Sequence, residues 1–162
     1  MQTLNFNHKA LTIPNCWTIN RNNFVNLEPD NHFDIDLVAH NFVEDVFQAT
    51  WNKYIIDLGF YGNYDDNRKG FFKLYVIKGD FLQGTLYETF ISRSTNDIKN
   101  RLDMYLDIIP KNLLENVQGF TYGDLTENSL IDFHVYSAIN NVQLNLTDSE
   151  LEKLSESIVR DK

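Results

Sequence analysis

The sequence predicts an α+β fold, an antiparallel β-sheet meander with helices packed on it, and three observations carry that prediction. Residues 54–61, 71–77 and 85–91 are runs dominated by β-branched and aromatic side chains, separated by polar turns that contain glycine. Directly after them, Ile98, Leu102, Tyr105, Leu106 and Ile109 recur at i, i+4, i+7, i+8 and i+11, one apolar stripe that Pro110 terminates. Near the C-terminus, Thr147-Asp148-Ser149-Glu150 has the form of a capping box. It opens a helix near residues 147–160, with Leu151, Leu154 and Ile158 on one face.

Residues 3–6 and 10–13 flank Asn7-His8-Lys9 and predict an opening hairpin, which Pro14-Asn15 ends. Residues 16–19 read as a short strand, followed by an Asn-rich turn and a second extended piece at 24–27. Glu28-Pro29-Asp30-Asn31 is a turn. Phe33, Ile35 and Leu37 then alternate with Asp34 and Asp36 as in a strand. Residues 42–51 fit two patterns: Phe42, Val43, Val46, Phe47 and Thr50 make a helical stripe, while Val43, Phe47, Ala49 and Trp51 suit a strand face. Asn52-Lys53 sits where a hairpin with the 54–61 strand needs its turn, which favours the strand.

Gly62 and Gly70 bracket a run of turn formers, so residues 62–70 read as a hairpin loop. In the next strand Phe72, Leu74 and Val76 share one face and Phe71, Tyr75 and Ile77 the other. Both faces are apolar, which predicts a central strand covered on both sides. Lys78-Gly79-Asp80 starts a turn that Gly84 closes, and Ser94 or Thr95 caps the helix over 95–109, with Asp97 favourably placed in its first turn. Beyond Pro110, residues 112–117 suggest a helical turn, 118–129 a loop and 130–138 a further strand, with Asn140-Asn141 turning after it.

At 162 residues, with 43% hydrophobic and 14% aromatic side chains, the chain predicts one folded domain over 1–162 with a substantial core. Its net charge of −9 repels phosphate backbones and argues against nucleic acid as a partner. No apolar run is long enough to span a bilayer and no signal peptide is visible, so the expected location is the cytoplasm, away from membranes. The single cysteine, Cys16, excludes an internal disulfide, and its neighbours Trp17 and Ile19 suggest that it packs in the core.

Catalytic motifs are not visible. The glycines make no phosphate-binding loop and no nucleophile elbow. His8, His32, His40 and His134 lack metal-ligand spacing, and Asp65-Asp66 lacks the regular oxygen ligands of a calcium loop. Tyr61 and Tyr64 run into that acidic loop, and tyrosine beside carboxylates suits contact with a basic protein. The other reading of the same residues is sheet lining and solvated turn carboxylates. The expected contacts are Tyr61, Tyr64, Asp65, Asp66 and Asp80.

Within residues 54–109, Ile56-Asp57-Leu58-Gly59-Phe60-Tyr61 is followed by Asp65-Asp66, then by Gly70-Phe71-Phe72, and a third strand ends in Arg93-Ser94 before a helix. This stretch resembles the immunity proteins of bacterial contact-dependent growth inhibition and related polymorphic toxin systems, although Gly62 stands where such patterns often place a proline. The resemblance implies an α+β protein that binds a cognate toxin C-terminal domain, often a basic nuclease, and inhibits it stoichiometrically. It implies no catalysis, no cofactor and no small-molecule substrate. The alternative is a small-ligand-binding or accessory α+β domain.

Overall fold

A computed structural model of the chain describes residues 4–62, 64–80, 84–114 and 119–122, the last as backbone only. The predicted meander is present. Strands β1 (Thr18–Asn22), β2 (Phe47–Trp51), β3 (Tyr54–Tyr61), β4 (Phe71–Lys78) and β5 (Thr85–Ser92) lie side by side in chain order, each antiparallel to the last. A sixth strand, β6 (Gly119–Tyr122), pairs with β5 in parallel. Parallel pairing needs a crossover, and helix α2 (Thr95–Ile108) lies between these two strands in sequence.

The sheet follows from the residues. β2 and β3 are joined by Asn52-Lys53, with Asn52 at φ 53°, a left-handed conformation that a short polar side chain tolerates. β3 and β4 pair along their whole length, from Tyr54 opposite Lys78 to Tyr61 opposite Phe71. Phe47, Ile56, Leu58, Phe60, Phe72, Leu74, Val76 and Phe90 are buried in one core with Ile98, Leu102, Tyr105, Leu106 and Ile109 from the helical stripe. Ser94 is the cap: its Oγ accepts from the Asp97 backbone N–H at 3.2 Å. On the opposite sheet face Phe71, Ile77 and Ile91 are buried too, as a doubly covered central strand requires.

Several expectations are corrected. Residues 4–13 form no hairpin of their own; Lys9 N–H donates to the Phe24 carbonyl and Asn26 N–H to that of Asn7, so the segment lies against residues 24–26. Cys16 is exposed, and Trp17 beside it enters the core, donating from Nε1 to the Leu106 carbonyl at 2.8 Å. The strand starts at Thr18. The alternation of residues 33–37 belongs to a single helical turn, α1 (Ile35–Val38), which buries Val38 and leaves Phe33 exposed. The strand expected over 42–51 begins only at Phe47, because Phe42 turns inward onto the rings of Phe60 and Tyr64. Part of the loop expected over 118–129 is strand β6. The helix near 147–160, the strand over 130–138 and His134 lie outside the described residues.

Candidate protein-interaction site

The loop joining β3 to β4 is held from three directions. Tyr64, expected as a surface contact, is only 1% exposed. Its ring stacks on Phe42 at 4.0 Å, and its hydroxyl donates to the Pro29 carbonyl while accepting from Asn31 Nδ2 and Arg68 Nη1. That hydroxyl has filled its one donor and two acceptor positions. Tyr64 is therefore corrected from contact to anchor.

Arg68 reaches on from Tyr64 to the Phe33 carbonyl, fastening the loop to the segment before α1. Arg93, at the end of β5, closes the base. Its Nη1 donates to the carbonyls of Arg68 at 3.0 Å and Gly70 at 2.5 Å, and its Nη2 meets Asp30 at 2.7 Å. Gly70 has φ 121°, and a Cβ there would lie 2.4 Å from the Phe60 ring, so no other residue fits without displacement.

With the loop pinned in this way, Asp65 and Asp66 point outward and are exposed. Asp66 has a partner in Lys69 at 3.8 Å, but its side chain is 66% exposed, so the pair contributes little. Asp34 and Asp36 of the α1 turn lie beside Arg68, lining a recess of about 550 Å³. The loop end of the sheet is thus rich in carboxylates over a rigid aromatic base.

The remaining expected contacts divide. Tyr61 is half-buried at the same end as Asp65 and Asp66. Asp80 is exposed but belongs to the opposite end, where Gly79 N–H meets the Lys53 carbonyl. The eight residues of β4 put ~24 Å between the two turns. The structure brings Tyr61, Asp65 and Asp66 together and leaves Asp80 apart.

Sequence reasoning missed Lys73. It sits on the sheet face opposite α2, 1% exposed, with its ammonium 3.9 Å from the Tyr75 ring centroid and 4.5 Å from that of Tyr61. Burial pushes its pKa down to about 6, against the opposing pull of Asp57 and Glu44. Asp57, which accepts from Gln48, is shifted upward, chiefly by burial. Gly59 lies directly across from Lys73, and a Cβ there would sit 2.1 Å from the Glu44 carbonyl. The available signal was a lysine inside a run of five apolar or aromatic neighbours, Phe71-Phe72-Lys73-Leu74-Tyr75-Val76.

Among the described residues no group of three or more His, Cys, Asp or Glu is placed to hold a metal ion, and no helix is long and apolar enough to cross a membrane. Comparison with protein-family models, with curated proteins and with solved structures finds no match.

Proposed function

We propose that this chain is an immunity protein: it binds the C-terminal domain of a cognate toxin and neutralises it stoichiometrically, without catalysis or cofactor. The observation that carries the reading is the construction of the 62–70 loop. Tyr64, Arg68 and Arg93 fix its backbone from within, and the side chains it leaves exposed include the carboxylates of Asp65 and Asp66, beside Asn67. A loop already held in shape loses little freedom on binding, so more of the contact energy appears as affinity. Carboxylates on such a loop, in a chain of net charge −9, attract a basic partner and speed encounter. A basic nuclease-type toxin has that chemistry, and the motif resemblance in residues 54–109 points to the same class.

Tyr61, Asp65 and Asp66 form the proposed loop contacts; Asp80, at the far end, belongs to this surface only if the partner spans the sheet. The test is co-expression of the tagged chain with the C-terminal domain of whatever large protein is encoded immediately upstream of its gene. Co-purification with rescue of growth is the expected result. Asp65→Lys combined with Asp66→Lys should weaken binding by about tenfold or more, since like charges then face one another. Unchanged affinity in that double variant would remove the loop from the interface. Failure of both co-purification and rescue, with the toxin domain well expressed, would favour the small-ligand alternative.

A further inference from the structure

A loop with two outward carboxylates is too small to be an interface, because standard ones bury about 800 Å² per partner. The surface beside it supplies what the loop lacks. Phe33 is 41% exposed and Val43 is 42% exposed, unusual positions for large apolar side chains in the segment between β1 and β2. Phe6 bridges them: its ring meets Phe33 edge-to-face at 5.4 Å, and it lines a recess of about 430 Å³ whose apolar side is Val25, Val43 and Val46 and whose polar side carries Arg21, Asn41 and Asp45. Carboxylates border this apolar strip on both sides, Asp34 and Asp36 next to Phe33, Glu44 and Asp45 next to Val43. Among the described residues none of the four is in an ion pair. Arg68 donates to the Phe33 carbonyl and lines the recess of Asp34 and Asp36, so the strip is continuous with the 62–70 loop.

We infer that the partner-binding surface is centred on this strip, where the basic toxin domain seats an apolar side chain in the recess beside Val43 and sets lysines or arginines against the flanking carboxylates. This rests on the immunity reading. An apolar centre with a charged rim is the anatomy of an interface in which a few central side chains dominate the affinity. Charge complementarity selects the occupant. A second copy of this chain would bring the same four carboxylates against themselves, and a small molecule in the recess would leave Phe33 and both acidic flanks uncovered.

The experiment measures binding of the C-terminal domain of the protein encoded upstream to the full-length chain and to Val43→Lys, Phe33→Lys, Glu44→Lys with Asp45→Lys, and the control Met104→Lys. Met104 is 38% exposed on α2. Each strip variant is expected to weaken binding by about tenfold or more, with the control at native affinity. The Glu44/Asp45 pair is exposed, so its variant keeps the test valid should a lysine at 33 or 43 disturb folding in thermal melts. Native-like affinity in the folded strip variants would overturn the strip while leaving the immunity reading in place. No binding by the native chain to a folded, active toxin domain would overturn both. Self-association of the free chain abolished by Val43→Lys would assign the strip to a second copy and overturn the inference.

Discussion

Among the described residues two cations, Arg93 and Lys73, are almost completely buried, and they are buried in opposite ways. Arg93, 4% exposed, spends its guanidinium on two backbone carbonyls and Asp30. Lys73, 1% exposed, has its ammonium between the faces of two tyrosine rings, with Asp57 and Glu44 acting on it through space. The planar fork of arginine remains charged and matches several acceptors at once. The compact ammonium of lysine gives up its proton when desolvation outweighs its neighbours. One region uses a buried charge to fix the backbone; the other holds a buried amine against aromatic rings, where desolvation opposes its charge.

The largest effect expected from this contrast is at Arg93. Arg93→Met leaves the carbonyls of Arg68 and Gly70 without their donor and should cost about 3 kcal/mol or more in chemical denaturation. A loss below about 1 kcal/mol would mean that the clamp is ornamental. Next comes the pH dependence of Lys73. Its folded pKa of about 6 lies below the unfolded value of 10.5, so between those values the unfolded chain binds the extra proton. Stability contributed by this site therefore rises with pH through that window and is flat below it, by at most about 1.4 kcal/mol per pH unit. Lys73→Met should flatten the native stability-versus-pH curve between pH 7 and 9; an unchanged curve would show that the ammonium stays charged.

At pH 7 itself, Lys73→Met should be at least as stable as the native protein, because an apolar side chain of similar length replaces an amine that burial makes costly to charge. A loss as great as that from Arg93→Met would erase the difference between the two sites. The smallest effect belongs to Asp30→Asn. That side chain is 69% exposed, so removing its charge from Arg93 should cost less than about 1 kcal/mol, whereas a larger loss would make the ion pair, not the carbonyls, the clamp.

Legibility in the sequence follows the range of the forces involved. β3, β4 and β5 are long runs separated by turn residues, and α2 has a stripe, a cap and a terminating proline, so local pattern was sufficient. The α1 turn was misread because four residues carry too little periodicity, and the burial of Val38 decides the conformation. Tyr64 looked like a contact because its neighbours in sequence are acidic; the ring that stacks on it, Phe42, comes from 22 residues earlier. Asp80 was grouped with Asp65 and Asp66 because composition carries no information about which end of a sheet a turn occupies. In the apolar strip, Phe33 and Val43 were read as strand-face residues, and only the folded chain leaves them exposed.

The order of the strands bears on how the chain reaches this state. β2 through β5 pair with their immediate successors, so each closure joins neighbouring segments across a short connection. β6 is different: it meets β5 only across the whole of α2, and in parallel. Low contact order favours the β2–β5 hairpins as the nucleus, with β6 docking late. Conservative truncations such as Ile56→Val should then slow folding, while weakening of the β5–β6 pairing should mainly speed unfolding, a division that paired stopped-flow measurements can read.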